Sequence, residues 1–347
     1  MFDIKINSHR GEYSVIFTSF HRIPKEELED SFFIIDSKVY ELYPDIMDKL
    51  EYSRIFVMDA KEDNKTLVYC EKVLKFLLSN GIKKNHNIVA IGGGVVQDVA
   101  SFTASILYRG VEWRFIPTTL LAQADSCIGS KTSINFNKTK NTLGTFYPPS
   151  KIWCDTDFLH TLEEEDIQSG VGEILHYYLI DGTSMVDSLC EDSESINMDK
   201  LFPHIHKSLS IKKDMIERDE FDKGERRIFN YGHTFGHAIE VLSNHKVNHG
   251  QAVTLGMHMA NYIAQMMDLI DDDYWEMQES ISFNLPDYAI DHISEYIDIL
   301  MRDKKNEDGS LVCILPHGKA DMRVVKLDNL AFLRGCIESY WVQHNHV

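Results

Sequence analysis

The chain has 347 residues, of which 44% are hydrophobic and 26% are charged, proportions typical of an ordinary globular protein. This length corresponds to about two domains or one large one, and the composition excludes a disordered or fibrous chain. With 35 basic and 54 acidic residues the formal net charge is −19, which disfavours nucleic acid or an anionic membrane surface as the main partner because like charges repel. A small anionic substrate is still compatible, since a local basic pocket can override the overall sign.

The sequence predicts a cytoplasmic protein. Its first residues do not form a basic segment followed by an apolar one, as a secretory signal would. The longest uncharged stretch, residues 250–267, carries several polar side chains and therefore predicts a buried helix and not a membrane span. The six cysteines are scattered without a CxxC pair, so we expect reduced thiols.

The first half of the chain alternates short apolar runs with helical patterns. Their spacing predicts strands at residues 32–35, 54–58, 87–91 and 113–116 and helices at residues 66–78 and 99–108. This order predicts an α/β domain with a parallel sheet and a nucleotide-type site at the strand ends.

After residue 155 strand patterns become rare and helical patterns dominate. Helices are predicted at residues 163–180, 198–217, 230–243, 250–269 and 273–282. We place the domain boundary at the Pro148-Pro149 segment. The prediction is thus an α/β domain at residues 1–150 and an all-helical domain at residues 151–347.

A glycine run, Gly92-Gly93-Gly94, lies between a predicted strand and the helix that follows. Glycines there let the backbone approach a phosphate, and a helix N-terminus favours the negative charge. The run departs from the usual dinucleotide fingerprint, because Gln97 stands where the third glycine would fall. On its own it fits a tight structural turn as well as a phosphate-binding loop.

Lys131, Lys138 and Lys140 lie close together in this acidic chain. They indicate either a solvated basic loop or a cradle in which ammonium groups bind an anion such as phosphate.

The strongest local pattern is a set of histidines. His233 and His237 are one helical turn apart on one face, and His249 begins the next predicted helix, while Glu173 lies on an earlier one. Imidazoles with a carboxylate form the ligand set of a catalytic zinc that keeps an open position. A histidine pair at this spacing is also common for purely structural reasons, and the pattern does not say which two of the three histidines would bind.

Together these motifs resemble those of 3-dehydroquinate synthase and the wider sugar phosphate cyclases. The resemblance extends from about residue 30 to residue 320. It rests on segments that follow one another in the family's order: 92–98, 109–110, 117–123, 125–126, 128–129, 131–132, 140–141, 146–147, 172–173, 219–220, Arg226, Asn230, 232–240, 249–250 and 303–305.

The resemblance implies an N-terminal NAD-binding α/β domain and a C-terminal helical domain. It implies a divalent metal, Zn²⁺ or Co²⁺, held by Glu173, His233 and His249, with His237 on the substrate side. The residues implied to contact NAD are Glu62, Lys65, Gly93, Gly94, Asp98, Thr118, Thr119, Lys131, Lys140, Phe158 and Thr161.

The resemblance also implies a phosphorylated sugar-acid substrate. Lys212 and Arg226 match positions that hold its carboxylate, and Asp125 matches one that contacts its hydroxyls. The residues implied to line the phosphate and the ring are Arg109, Lys131, Asn141, Asn230, His237 and one of Lys304 and Lys305. Arg109 matches a residue that reaches the phosphate of the neighbouring subunit, so a homodimer is implied.

The implied activity is that of a lyase in aromatic amino acid biosynthesis. Phosphate would be eliminated from 3-deoxy-D-arabino-heptulosonate 7-phosphate, or a close relative, and an intramolecular aldol reaction would close the carbocycle, with NAD recycled. A cyclase of another sugar phosphate, such as sedoheptulose 7-phosphate or glucose 6-phosphate, is an alternative. A metal-dependent polyol dehydrogenase is another, but it would release NADH and would not need the anion sites at Lys131 and Arg226. A catalytically silent paralogue is the third.

Three positions depart from the family pattern. The family's usual lysine three residues after the metal-binding glutamate is His176 here. This titratable imidazole either contacts a substrate hydroxyl in place of the lysine or only fills space beside Tyr177 and Tyr178. Gln97 and Ser130 stand where the family has glycines. These changes bear on the exact substrate, whereas Lys212 and Arg226 retain the residues that a carboxylated substrate needs.

Overall fold

The computed structural model describes residues 3–137, 139–194, 198–271, 273–290, 292–302, 306 and 309–344. The chain divides into two compact units, one made of Met1–Leu162 and Ile205–Phe221 and the other of Glu163–His204 and Asp222–Val347. The first unit therefore extends past the predicted boundary at residue 150. The reason is that residues 151–154 form a strand of its sheet and that a later helical segment also packs with it.

The first unit is built around a seven-stranded sheet in the order β1-β2-β9-β6-β5-β3-β4, in which β1 and β2 are antiparallel and the other neighbours are parallel. A separate antiparallel hairpin is formed by β7 and β8. The predicted parallel α/β arrangement is confirmed. The strands are β1 Ile4–Ser8, β2 Gly11–Phe17, β3 Ser31–Asp36, β4 Ile55–Met58, β5 Asn87–Gly92, β6 Trp113–Pro117, β7 Lys131–Phe136, β8 Thr139–Phe146 and β9 Lys151–Cys154.

The helices of this unit fix where the sheet can bind a ligand. They are α1 Ser37–Leu42, α2 Pro44–Met47, α3 Leu67–Ser79 and α4 Gly94–Ile106. Helix α4 begins directly at Gly94 and not at residue 99 as predicted, so its N-terminus lies at the end of β5. Strand β3 has β4 on one side and β5 on the other, so the strand order reverses there. Open α/β sheets bind ligands at such a reversal, beside the carboxyl ends of the strands.

The second unit is predominantly helical, as predicted, and contains one antiparallel strand pair that the prediction of an all-helical domain lacked. The pair is β10 Leu311–Pro316 and β11 Met322–Leu327, and every residue of β10 is buried. The helices after residue 162 are α5 Glu164–Asp181, α6 Val186–Glu194, α7 Met198–Arg218, α8 His233–Leu242, α9 His249–Met266, α10 Tyr274–Ser282, α11 Ile293–Met301 and α12 Leu330–His344. Helix α7 contributes residues to both units. Within the described residues none of the helices is long and apolar enough to cross a membrane.

Helices α5, α8 and α9 approach one another closely at glycines. A Cβ atom on Gly250 would lie 1.8 Å from the carbonyl oxygen of Ser169, and one on Gly172 would lie 2.2 Å from the carbonyl oxygen of Gly250. Likewise, a Cβ atom on Gly256 would lie 2.0 Å from the carbonyl oxygen of Gly232, just before α8. Since real Cβ contacts of this kind do not occur, the three helices can cross at this separation only while these positions lack side chains.

We expect Gly250→Ala to destabilise the metal-free protein by about 3 kcal/mol, because its methyl group overlaps backbone that cannot yield as a side chain would. Urea denaturation followed by circular dichroism measures this loss. Gly335→Ala is the matched control, since its Cβ atom on the exposed face of α12 meets no atom within 4 Å. It should leave the stability unchanged or raise it by up to about 1 kcal/mol. Equal stability of the two variants would contradict the role of the close crossing.

Candidate functional site

Glu173 and His249 are brought together by the crossing of α5 and α9. Glu173 directly follows Gly172, and His249, the first residue of α9, directly precedes Gly250. His249 Nε2 lies 2.8 Å from Glu173 Oε1, and His233 Nε2 lies 3.4 Å from the same oxygen. Glu173 is 2% exposed, so a buried carboxylate oxygen lies between two imidazoles.

The three predicted histidines form one cluster. His233 is the first residue of α8 and His237 lies one turn later, which places both imidazoles on the side where His249 arrives. One nitrogen from each of the three rings can be chosen so that all lie within 4.8 Å of one another. The geometry therefore offers metal ligands both from the implied set Glu173, His233 and His249 and from the three histidines together.

In both His233 and His249, the ring nitrogen more distant from Glu173 lies beside a hydrogen-bond acceptor. His233 Nδ1 lies 3.2 Å from the carbonyl oxygen of Tyr231, and His249 Nδ1 lies 3.1 Å from Glu240 Oε2. Because these oxygens only accept, they assign a proton to each Nδ1 and leave each Nε2 for the side of Glu173. Outer hydrogen bonds of this kind orient metal-binding histidines.

The cluster fits a divalent cation. Glu173 Oε1 is buried and receives no aligned hydrogen bond from the described residues, although two imidazole nitrogens lie beside it. A neutral His249 with its proton on Nδ1 would turn a lone pair toward this carboxylate. The arrangement therefore needs positive charge between Nε2 and Oε1, either a second imidazole proton or a metal ion.

The pKa values of the metal-free cluster show the same demand. Burial raises the pKa of Glu173, but the imidazoles of His233 and His249 outweigh burial, and the pKa lies well below its ordinary value. Burial lowers the pKa of His249, but the neighbouring carboxylates of Glu173 and Glu240 outweigh burial, and this pKa lies well above its ordinary value. Carboxylate and imidazole thus stabilise each other's charged forms.

His176 lies against this cluster. It is one turn after Glu173 on α5 and is 1% exposed, with Nδ1 3.9 Å from Glu173 Oε2. Its ring centroid is 4.9 Å from that of His233, and the ring stacks on Tyr231 at 6.4 Å. Tyr177 adds an edge contact at 5.1 Å. Aromatic rings therefore pack against this imidazole on more than one side.

Two further predicted residues of the second unit lie on the short helical segment Glu225–Asn230. Arg226 is buried there, and Asn230 Nδ2 donates a hydrogen bond to the carbonyl oxygen of Arg227 at 3.0 Å. Lys304 and Lys305 lie outside the described residues.

In the first unit, the predicted nucleotide residues gather at the ends of β5 and β6. Thr118 N donates to the carbonyl oxygen of Gly92 at 3.0 Å, and a Cβ atom on Gly93 would lie 3.0 Å from Thr119 Cγ2. A Cβ atom on Gly94 would meet no atom within 4 Å. An N-terminus of α4 that is open in this way can receive an anionic group.

A polar network joins other predicted cofactor residues. Lys65 Nζ lies 2.6 Å from Asp98 Oδ2 and donates to Asn141 Oδ1 at 2.7 Å. Asp98 Oδ1 accepts from Ser133 N at 3.1 Å. Burial raises the pKa of Asp98, and the neighbouring Lys65 opposes that rise. The structure therefore places Asn141, predicted to line the substrate phosphate, in the same network as the predicted cofactor residues.

Two of the three clustered lysines, Lys131 and Lys140, lie on strands of a hairpin. Lys131 begins β7 and is exposed, and Lys140 is an exposed residue of β8, whereas Lys138 lies outside the described residues. Burial alternates along β7, with Thr132 and Ile134 on the buried side. This alternation of period two is the signal from which the hairpin could have been predicted. Asn135 on the same strand donates to Glu62 Oε1 at 2.8 Å, and no sequence pattern singled it out.

Asp125 and Lys212, both in the first unit, pair with each other. Lys212 Nζ lies 2.7 Å from Asp125 Oδ1 and 2.7 Å from its carbonyl oxygen. Gln97 holds the same segment, because its Nε2 donates to the carbonyl oxygen of Ser126 and its Oε1 accepts from Ser126 Oγ, both at 2.6 Å. Arg226, the other predicted carboxylate residue, belongs to the second unit.

The remaining predicted residues of the first unit differ in exposure. Phe158 packs its side chain into the hydrophobic core of the sheet, so its side chain is not available to a cofactor. Thr161 Oγ1 lies 2.9 Å from the hydroxyl of Tyr43, a residue that sequence patterns did not indicate.

Arg109 is exposed, and both it and Tyr108 have left-handed backbone, with φ of 64° and 51°. Such strained backbone is more frequent at functional sites than elsewhere.

Comparisons with known proteins agree with this architecture. A family model described as 3-dehydroquinate synthase N-terminal matches residues 55–169, and one described as 3-dehydroquinate synthase C-terminal matches residues 170–306. A 3-dehydroquinate synthase of Clostridium tetani is 36% identical over 319 residues, which cover 89% of this chain and 86% of the relative. One of Campylobacter fetus is 34% identical over 333 residues, covering 91% and 92%.

Two solved structures share the fold. A 2-deoxy-scyllo-inosose synthase complexed with carbaglucose-6-phosphate, NAD⁺ and Co²⁺ has a TM-score of 0.85 and 24% identity, covering 97% of this chain and 99% of that one. A 2-epi-5-epi-valiolone synthase from Streptomyces hygroscopicus with NAD⁺ and Zn²⁺ bound has a TM-score of 0.81 and 23% identity, covering 95% and 96%. Because both sequence identities are below 25%, these two comparisons show a shared fold and nothing further.

We expect His233→Ala and His249→Ala to lose the bound divalent metal while remaining folded, because each removes an imidazole nitrogen beside Glu173. Elemental analysis after dialysis measures the metal, and circular dichroism checks the fold. His292→Ala, which changes an exposed histidine before α11, is the control and should keep full metal content. Full metal content in both cluster variants would refute the ligand assignment, and loss of metal in His237→Ala would favour the three-histidine set.

Proposed function

Since this chain belongs to the 3-dehydroquinate synthase family, we propose that it eliminates phosphate from 3-deoxy-D-arabino-heptulosonate 7-phosphate and closes the carbocycle by an aldol reaction. Family membership makes it a cyclising enzyme of the lyase type. The observation that carries the proposal is the cluster of Glu173 with His233, His237 and His249 in a unit that the family's C-terminal model matches. We further propose a cytoplasmic homodimer that acts in aromatic amino acid biosynthesis.

We assign Glu173, His233 and His249 to a divalent metal, Zn²⁺ or Co²⁺, and the polar groups around Gly94 and Asp98 to NAD. The fit of a cation to the buried carboxylate oxygen supports the first assignment, and the open N-terminus of α4 supports the second. When bound, NAD⁺ supplies the transient oxidation of a substrate alcohol, and the metal polarises the oxygen on that carbon.

The chain's own residues orient the cofactor. Hydrogen bonds tie Glu62, Lys65 and Asp98 to the β7–β8 hairpin, so their polar atoms are fixed before a ligand arrives. Fixed groups do not have to be reorganised during the reaction. The other residues assigned to NAD are Gly93, Gly94, Thr118, Thr119, Lys131, Lys140 and Thr161.

We assign the substrate carboxylate to Lys212 and Arg226, and the hydroxyls to Asp125 and His176. Asp125 holds the ammonium group of Lys212 in place at 2.7 Å, so this cation is oriented without the substrate. The phosphate and the ring are assigned to Arg109, Lys131, Asn141, Asn230, His237 and one of Lys304 and Lys305. Cationic groups and amides positioned around the leaving phosphate stabilise the charge that develops on it.

Incubation with sugar phosphates tests the proposal. The purified protein, loaded with NAD⁺ and Zn²⁺ or Co²⁺, is given 3-deoxy-D-arabino-heptulosonate 7-phosphate, sedoheptulose 7-phosphate or glucose 6-phosphate. Inorganic phosphate and NADH absorbance are followed together. We expect phosphate release from the heptulosonate without net NADH. Net NADH would indicate a dehydrogenase, equal turnover of sedoheptulose 7-phosphate would indicate a different cyclase, and turnover of none would indicate a silent paralogue.

We expect Arg226→Ala to cost on the order of 2–4 kcal/mol of substrate binding or transition-state stabilisation, because a charged partner of the substrate carboxylate is lost. The measurement is kcat/KM for phosphate release. Arg227→Ala, which changes the adjacent and more exposed arginine, is the control. A loss of the same size in both variants would contradict a specific role for Arg226.

The homodimer is tested by subunit mixing. If Arg109 acts in the neighbouring subunit's site, Arg109→Ala and His249→Ala proteins are each inactive, but a mixed dimer contains one site with both residues intact. Random exchange should then restore about a quarter of wild-type activity, because half of the dimers are mixed and each has one complete site. No restoration, after exchange has been verified with differently tagged subunits, would place Arg109 in its own subunit's site.

A further inference from the structure

Glu240 lies on the same face of α8 as two of the clustered histidines. Counted from His233, His237 is at i+4 and Glu240 at i+7, a spacing that aligns side chains along one side of a helix. Glu240 is buried, and its Oε2 lies 3.1 Å from His249 Nδ1. The carboxylate therefore contacts the face of His249 that is opposite to Glu173.

The two imidazoles beside Glu173 are held in different ways. The Nδ1 atom of His233 lies beside a neutral backbone carbonyl, whereas the Nδ1 atom of His249 lies beside the carboxylate of Glu240. His249 is also the more exposed of the two, with 32% of its side chain accessible against 14% for His233. Both histidines are the first residues of their helices and have no preceding helical turn to pack against. The more exposed ring of His249 therefore depends more on a side-chain partner.

We propose that Glu240 is a positioning residue whose carboxylate fixes the orientation and the Nδ1-protonated tautomer of His249 and thereby strengthens metal binding. The inference rests on the proposed metal site. Accepting the Nδ1–H bond keeps Nε2 directed at the cation, and the negative charge makes the imidazole a better donor to it. Glu240 itself lies behind the ligand and does not enter the coordination set.

The side chain and the backbone of Glu240 have separable roles. Its carbonyl oxygen accepts hydrogen bonds from His245 N at 2.8 Å and from Ser243 Oγ at 3.1 Å, which close the end of α8. Any residue at this position retains those bonds. Replacement of the side chain therefore removes the contact with His249 and keeps the backbone contacts of the helix end.

The test compares Glu240→Ala and Glu240→Gln with wild type. Glu338→Gln, on the half-exposed surface of α12, is the matched control for loss of a carboxylate. Three quantities are measured: the Co²⁺ dissociation constant by competition with a chelator, the visible absorption spectrum of the Co²⁺ form, and the thermal unfolding of the metal-free protein.

We expect Glu240→Ala to weaken Co²⁺ binding by about 10–100-fold and to alter the Co²⁺ spectrum. Glu240→Gln should lose less, because its carboxamide oxygen still accepts the hydrogen bond without the charge. The control should match wild type. If Glu240→Ala does not fold, weakened binding in Glu240→Gln supports the proposal and unchanged binding overturns it.

Two other outcomes would overturn the proposal in different ways. A Glu240→Ala protein that melts at a lower temperature but binds Co²⁺ with wild-type affinity and spectrum would show a role in helix packing only. A wild-type protein that binds no Co²⁺ while remaining folded would overturn the proposed metal site, and the inference about Glu240 with it. The wild-type measurement thus separates failure of the proposed function from failure of the inference alone.

Discussion

The candidate metal centre depends on the close backbone contact between α5 and α9. Gly172 and Gly250 face each other at a separation that no side chain could occupy. The residue after the first glycine is Glu173, and the residue before the second is His249. Because the two backbones touch at these positions, the adjacent carboxylate and imidazole come within 2.8 Å. Packing density and site chemistry are therefore set by the same two glycines.

Burial determines how the charges of this cluster behave. Glu173 carries a desolvation cost in its buried position, and His249 offsets that cost either as a protonated imidazole or by binding a cation together with the carboxylate. Glu240 extends the same logic outward, since it holds the second nitrogen of His249. The carboxylates of Glu173 and Glu240 therefore each lie beside the imidazole of His249.

The first unit prepares its polar groups by another route. The reversal of strand order next to β3 leaves the carboxyl ends of β3 and β5 open to a ligand. The β7–β8 hairpin then fixes Lys65 and Asp98 through Asn141 and Ser133. A buried lysine with two acceptors at 2.6 and 2.7 Å has little freedom, which favours a preformed site.

The sequence by itself determined the alternation of strands and helices, because the apolar periodicity of segments such as residues 87–91 reflects burial directly. It also indicated His233, His237, His249 and Glu173, whose residue types limit the possible chemistry. Only the tertiary structure decided which atoms meet: the pairing of Asp125 with Lys212 joins residues far apart in sequence, and the burial of Phe158 follows from strands that pack around it. Spacing along a chain restricts neighbours within one helix or strand. Contacts between elements depend instead on how closely their backbones approach, and here that distance was set by glycines.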